Sequence, residues 1–145
     1  MREIKFRAKV CKPLIGVIFI PSYRKEGEWV IGDLHLRTKI PHIHECGNDK
    51  FPIDINTIGQ FTGMTDKDGK EIYEGDILDL FIPKNNVGKP EHRLRKVIFD
   101  EKSCGFSIVD KHNNCICDAV TTSIELIYTV IGNIYDNPEM MEAKQ

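Results

Sequence analysis

The chain has 145 residues, of which 41% are hydrophobic and 29% are charged, and its formal net charge is -2. This length and apolar content are enough for one core without disulfides or a structural metal, so we predict a single domain over residues 1–145. With this net charge, the composition does not require a polyanionic partner. A nucleic-acid role would have to rest on a local cationic patch.

The first elements of the chain show strand patterns. Residues 4–10 alternate apolar and cationic side chains, which predicts a strand with one apolar and one solvated face. The continuous apolar run from Leu14 to Ile20 predicts a second strand, which a polar turn connects to Trp29–Ile31. Residues 34–40 continue the alternation, and the proline-containing stretch from Pro41 to Pro52 predicts a long loop.

The middle of the chain combines turn signals with a buried-strand pattern. Asp68-Gly69 predicts a tight reversal, because this dipeptide tolerates the positive φ of a hairpin turn. Ile77 to Ile82 then predicts a buried strand, which Pro83 ends. The segment from Lys84 to Lys96 is basic and nearly free of apolar residues, which predicts a mobile loop.

The last third of the chain predicts more short strands and one helix. The strand candidates are Val97–Phe99, Phe106–Val109, Cys115–Val120 and Leu126–Tyr135. Asn137 and Pro138 are typical of a helix start, so Glu139 to Lys144 is predicted to form a short C-terminal helix. Regular short strands with turn signals are typical of a barrel. We therefore predict a mainly β fold, all-β or α+β, with a small β-barrel-like core.

Cysteine usage and hydropathy predict the compartment. The five cysteines are an odd number at irregular spacing, which is typical of reduced thiols rather than of disulfides. Neither Cys46 nor Cys104 has a flanking motif of a catalytic nucleophile. The longest apolar run is too short for a membrane span or a signal peptide. We expect a cytoplasmic protein with no disulfides and no membrane partner.

Three segments of the chain carry a family resemblance. The middle one contains Gly-Gln-Phe-Thr-Gly-Met-Thr-Asp-Lys-Asp-Gly-Lys-Glu-Ile-Tyr-Glu-Gly-Asp-Ile, and the last one contains Val-Ile-Gly-Asn-Ile-Tyr-Asp-Asn-Pro-Glu. With Ile4–Arg7 at the start, the segments Ile58–Leu78 and Val130–Met141 resemble the YopX-like family of phage and prophage proteins. This resemblance implies a phage-derived origin and a mainly β fold, and it transfers no catalytic residue to this chain.

Two histidines and a cysteine form a candidate metal site. In an extended segment His42, His44 and Cys46 share one face, as chelation requires. Further ligands could come from His112, Cys115 and Cys117. The spacing differs from the common zinc signatures, and two histidines in a loop need no metal. We therefore predict no cofactor and keep a metal-assisted hydrolase as the third functional hypothesis.

Acidic residues cluster between Asp66 and Asp76. A calcium loop needs its glycine after three alternating oxygen ligands, whereas Gly69 follows only Asp66 and Asp68. Glu74 and Asp76 could act as an acid/base pair only if a pocket drove their pKa values apart. Their turn context instead predicts that they accept backbone N–H bonds. No catalytic residue is predicted.

Cationic residues form a candidate nucleic-acid site. The candidates are Lys84, Lys89, Arg93, Arg95 and Lys96, with His92 in the same segment and Lys5, Arg7 and Lys9 on the first strand. Such side chains can neutralise phosphates. Aromatic residues that would stack on bases are absent from the segment Lys84 to Lys96.

Apolar strands such as Leu14 to Ile20 exceed what one small barrel easily buries, which indicates self-association. The preferred hypothesis is a phage-derived accessory protein, a non-catalytic interaction module that forms a homo-oligomer, with a host or phage protein as a further partner. Its core or interface anchors are predicted to be Trp29, Phe61, Tyr73 and Tyr135. The alternative is a nucleic-acid-binding accessory factor that uses the basic segment.

Overall fold

The fold is known from a computed structural model, which describes residues 3–12, 23–38, 40–45, 49–82, 90–115 and 128–142. The chain forms two compact units, Met1–Phe61 and Thr62–Gln145. Its strands form two antiparallel sheets, so the mainly β prediction is confirmed. A single domain over residues 1–145 stays a prediction. None of the helices in these ranges has the length and apolar character that crossing a membrane requires.

The first unit is built on one sheet. Its strands are β1 (Phe6–Lys9), β2 (Trp29–His35), β3 (His42–His44), β4 (Lys50–Pro52) and the start of β5 (Gly59–Thr65). Their order in the sheet is β4-β3-β2-β1-β5, and a 3-10 turn at Ile55–Thr57 precedes β5. The inner face buries a cluster made of Ala8, Val10, Val30, Ile43, Phe51 and Ile53.

The alternation read in residues 4–10 is confirmed by the burial of β1. Ala8 lies on the inner face and is buried, whereas cationic side chains occupy the other face. There the Arg7 guanidinium lies 4.7 Å from the centre of the Trp29 ring, and the Lys9 ammonium lies 5.5 Å from it. Lys5 stands in the same way 4.8 Å from the Phe61 ring. The outer face therefore carries cation–π pairs rather than isolated charges.

The predicted loop from Pro41 to Pro52 is wrong, because the segment contains β3 and β4. The two strands pair antiparallel, with Ile43 opposite Phe51. Both side chains are fully buried, so one apolar residue per strand is enough to fix the pair against the core. Strands of three residues are too short to show a recognisable period.

The second unit contains the end of β5 and a four-stranded sheet. Its strands are β6 (Glu71–Tyr73), β7 (Asp76–Ile82), β8 (Glu91–Asp100), β9 (Gly105–Val109) and β10 (Tyr128–Asn133). β6 lies beside β5, and the four-stranded sheet has the order β10-β7-β8-β9. Its core consists of Ile72, Leu78, Val97, Tyr128 and Val130.

The barrel prediction is wrong, because β9 and β10 lie at opposite ends of an open sheet. A period of two reports which face of a strand is buried, and this period is the same in an open sheet and in a barrel. The strands predicted from Ile77, Phe106 and Leu126 correspond to β7, β9 and β10.

Two strand candidates are largely outside the described residues. Leu14 to Ile20 is not described, and of Cys115–Val120 only Cys115 is, where it forms a bridge to Val109. Of the predicted anchors, Phe61 and Tyr73 are buried, and Trp29 and Tyr135 are half-buried. The described cysteines, Cys11, Cys104 and Cys115, are in the thiol form.

In the described part of the predicted C-terminal helix from Glu139 to Lys144, the chain forms a 3-10 turn, Pro138–Met140, instead of an α-helix, and residues 143 and 144 lie outside the described part. Asn137 precedes the turn without capping it through its side chain. Its Oδ1 instead accepts a hydrogen bond from the backbone N–H of Asn133, at 3.4 Å. The residue expected to start a helix therefore fastens the chain to the end of β10.

Candidate functional site

Three histidines gather on the outer face of the first unit's sheet. His35 ends β2 and lies directly opposite His42 on β3. His42 and His44 are two positions apart on β3, so they share a face, while Ile43 between them points into the core. The antiparallel register and the alternation of the strand therefore place all three imidazoles together.

The three rings are in mutual contact. The ring centres of His35 and His42 are 5.1 Å apart, with their planes 3° from parallel. Those of His35 and His44 are 4.3 Å apart, and those of His42 and His44 are 4.9 Å apart. One ring nitrogen from each residue lies within 4.8 Å of the others. The Nε2 atoms of His42 and His44 are 3.0 Å apart. We call these three residues the histidine cluster.

His42 is held by the chain that leads into β3. Its Nδ1 lies 2.9 Å from the carbonyl oxygen of Ile40, which can only accept a hydrogen bond. The Thr38 hydroxyl donates to the same carbonyl at 2.6 Å. Nδ1 of His42 therefore carries a proton, and the Nε2 of the neutral ring is left with a lone pair that faces His44.

The surroundings of His44 favour its neutral form. Burial lowers the pKa of His44, and the positive charge that His35, His42 and Lys50 can carry lowers it further. Asp33, which lies opposite His44 in the β2–β3 pair, acts in the other direction. A neutral imidazole is the form that binds a metal ion.

The cluster overlaps the metal site suggested by the sequence but differs from it in membership. The structure brings His42 and His44 together, and it adds His35, which lies in the alternating pattern of residues 34–40 and was not a candidate ligand. Cys46 and Cys117 lie outside the described residues. His112 and Cys115 belong to the second unit and are exposed. Only the β2–β3 register, which sequence patterns do not give, could have revealed His35.

The acidic turn predicted at Asp68 is present and is centred on Asp66. The backbone N–H of Gly69 bonds to the Asp66 carbonyl at 3.0 Å, and Gly69 takes a φ of 81°. This is a three-residue hairpin loop that ends in a left-handed glycine, so the tight reversal is confirmed. The Asp66 carboxylate is only 3% exposed and accepts N–H bonds from Asp68, Lys70 and Val130, each at 2.9 Å.

These bonds set the titration of Asp66. Burial raises the pKa of the carboxyl group, but the N–H donors of Val130, Lys70 and Asp68 together outweigh burial, so the pKa lies below its usual value. Asp76 likewise accepts the backbone N–H of Tyr73, at 2.8 Å, in the turn before β7. Both carboxylates hold turns of the fold, as the turn context predicted for Asp76.

Two of the three segments that carry the family resemblance meet inside the second unit. The Asp66 carboxylate bonds to Val130, the Gly75 carbonyl accepts the N–H of Ile134 at 2.9 Å, and Asp76 lies opposite Asn133. The residues of these segments that make these contacts therefore hold strand pairs and turns together.

The basic segment is only partly a loop. Lys84 and Lys89 lie outside the described residues, whereas Glu91 to Lys96 form the first half of β8, so the loop prediction is wrong for them. The segment pairs with β7 from Ile82 to Ile77, and its charges gain partners within the sheet. His92 contacts Asp79 at 2.6 Å, and Arg93 donates to Glu91 at 2.7 Å.

Arg93 and Arg95 line a groove of about 660 Å³ in the second unit. Lys111 adds a cationic group and His112 an imidazole to its wall, together with acidic and methionine side chains: Asp110, Glu139, Met140, Met141 and Glu142. Lys96 lies on the opposite face of β8, because alternate residues of a strand face opposite sides. The predicted basic residues are therefore divided between two faces.

The fold and these sites define a small, mainly β protein whose acidic turns are structural and whose outer sheet face carries a histidine cluster. The model of the YopX protein family matches residues 21–142. The chain belongs to the YopX family.

A solved structure has a similar fold. It is the crystal structure of protein EF1440 from Enterococcus faecalis, which is 23% identical, with a TM-score of 0.50. The match covers 98% of this chain and 100% of that chain. No curated protein matches the chain.

Proposed function

We propose that this YopX-family chain is a phage-derived accessory protein that acts as a non-catalytic interaction module and assembles into a homo-oligomer. The observation that carries the proposal is the position of Phe99 beside β9, the strand at the end of the second unit's sheet. Phe99 is 47% exposed and lies opposite Phe106, with ring centres 5.7 Å apart. Exposed aromatic residues are the side chains that protein interfaces bury most often.

A terminal strand offers a second way to contact another copy. Its outer N–H and C=O groups can pair with a strand of a partner chain. Among the described residues, Cys115 contacts the outer side of β9 through an isolated β-bridge to Val109, the last residue of the strand. A copy that adds to this edge would bury Phe99 at the same time.

The acidic residues support a non-catalytic role. Asp66 and Asp76 are buried and accept backbone hydrogen bonds from the turns they hold. A general acid or base has to reach a substrate, and these carboxylates are instead engaged with the chain itself. The acidic residues of the segment Ile58–Leu78 therefore support a role as a binding scaffold rather than as an enzyme.

Size-exclusion chromatography with light scattering tests the assembly. We expect the untagged protein at micromolar concentration to have a mass that is a multiple of 16.6 kDa. Phe99→Ser should weaken the assembly by about 2 kcal/mol, or roughly thirtyfold in dissociation constant, because an interface aromatic is lost.

Phe81→Ser is the matched control for this experiment. Phe81 is 46% exposed but lies on the opposite face of the same sheet from Phe99. Its replacement should leave the mass unchanged. A monomeric wild-type protein would refute the assembly, and equal effects of the two variants would refute the role of Phe99.

A second candidate function is nucleic-acid binding in the groove that Arg93 and Arg95 line. The observation in its favour is that Lys111 and His112 join them in one concave surface. Phosphate groups are bound by such cationic side chains, and each contact releases counterions. The acidic residues in the same wall limit the number of phosphates that the groove can hold.

Salt dependence tests this second candidate. We expect the affinity for single-stranded DNA to fall steeply with salt, and Arg93→Ala and Arg95→Ala each to reduce the slope of log affinity against log salt by about 0.7. Lys102→Ala, in the exposed turn before β9, should leave the slope unchanged. An affinity that does not respond to salt would exclude the groove as a nucleic-acid site.

A further inference from the structure

We infer that His35, His42 and His44 form a binding site for a divalent transition-metal ion of the Zn²⁺ class, with at least one coordination position left open. This inference goes beyond the proposed function and does not depend on it. Imidazole nitrogens suit Zn²⁺, Cu²⁺ and Ni²⁺, whereas Ca²⁺ and Mg²⁺ require oxygen ligands.

The spacing of the cluster is close to what a tetrahedral ion needs. Two nitrogen ligands at about 2.0–2.1 Å from such an ion are roughly 3.3–3.4 Å apart. The Nε2 atoms of His42 and His44 are already 3.0 Å apart, in a hydrogen bond whose proton an ion bound by both nitrogens would displace. The whole set lies within 4.8 Å, so the largest adjustment is roughly 1.5 Å. His35 can supply this adjustment because its side chain is exposed.

The support behind His42 matches that of metal-binding histidines. Such residues generally donate the proton of their second ring nitrogen to a carbonyl or carboxylate oxygen, which fixes the ring and its tautomer. Nδ1 of His42 has this bond to the Ile40 carbonyl, at 2.9 Å, and Thr38 braces the same carbonyl. His42 is therefore preorganised to present Nε2 to an ion.

The sheet fixes the backbone positions of the other two ligands. His35 is opposite His42 in the β2–β3 pair, and Gly32 permits the close approach of the strands, because a Cβ there would stand 1.8 Å from the His44 carbonyl oxygen. Sites built on strands hold their ligands more rigidly than sites on loops. Three protein nitrogens leave a fourth position of a tetrahedral ion for water or another small ligand, as in zinc sites that keep an open position.

Metal titration of the untagged full-length protein tests this inference. We expect one Zn²⁺ ion per chain at micromolar affinity, measured in competition with a chromophoric chelator, and a rise in Tm that EDTA reverses. Co²⁺ as a probe should give the visible absorption of a tetrahedral nitrogen site, without the charge-transfer band of a thiolate ligand.

Variants assign the binding to the cluster. His35→Ala removes an exposed side chain and should weaken Zn²⁺ binding at least tenfold while the far-ultraviolet circular dichroism stays unchanged, and His44→Ala should do the same. His112→Ala, which removes an exposed histidine of the second unit, is the matched control and should bind normally. Unchanged affinity in His35→Ala and His44→Ala, a thiolate band with Co²⁺, or no binding at micromolar Zn²⁺ would each overturn the inference.

Discussion

Replacing Asp66 by asparagine is expected to lower the free energy of unfolding by about 3 kcal/mol, because three backbone N–H bonds, one buried and two partly buried, lose a charged acceptor. The amide oxygen can still accept from Asp68 and Lys70, but the amide nitrogen then faces the N–H of Val130, a donor against a donor. Chemical denaturation followed by circular dichroism at neutral pH measures the difference. Asp68→Asn, in the same turn but exposed, should change stability by less than about 0.5 kcal/mol.

The effect of Asp66 should also depend on pH. The folded-state pKa of Asp66 lies below its ordinary value of about 3.9, so the carboxylate contributes stability above that value and loses it as the pH falls through the folded-state pKa. The stability difference between wild type and Asp66→Asn should therefore narrow when the pH is lowered from 7 to about 3. A difference that stays constant over this range would contradict the role of the charged carboxylate.

Gly32→Ala is expected to destabilise the first unit by about 3 kcal/mol or more, because the strands β2 and β3 cannot keep their spacing. An alanine Cβ would lie 1.8 Å from the His44 carbonyl oxygen and 2.7 Å from its carbonyl carbon. Both are backbone atoms of the paired strand, so no side-chain rotation relieves the clash. Thermal unfolding of the purified variant measures the loss.

Gly105→Ala is the control, because Gly105 also lies in a strand but no atom stands close to the position of its added Cβ. The nearest atom to its added Cβ is the Ser103 carbonyl oxygen at 3.8 Å, an ordinary contact distance. We expect its stability to lie within about 1 kcal/mol of the wild type. If Gly32→Ala were equally mild, the close approach of β2 to β3 would have to be relieved by a small backbone shift, and the prediction would fail.

Patterns of alternate burial could be read from the sequence wherever a strand is long enough. β1 and β7 alternate or run apolar over several residues, and each was predicted within a few positions. The turn at Asp68 was predictable because its geometry depends on local residues alone. These elements could be predicted without knowing which strands they pair with.

Features that depend on pairing could not be read in this way. β3 and β4 have only one inward-pointing apolar residue each. The start of β8 consists mostly of charged residues, and it is recognisable as a strand only from its pairing with β7. The histidine cluster has the same origin, because His35 reaches His42 only through the β2–β3 register. The open sheet was mistaken for a barrel because closure is a property of the whole set of strands.

The hydrogen bond between Asp66 and Val130 joins residues separated by 64 positions. β10, which contains Val130, pairs with β7 and is the last strand to be synthesised among those that the structure describes. The strand pairs of the first unit lie within residues 1–61, so that unit can fold on the ribosome while the second is still being translated. The second unit has to wait for β10, and its slow, non-local closure leaves a window in which the edge of β7 that pairs with β10 is exposed to aggregation or to a chaperone, while its other edge can already pair with β8.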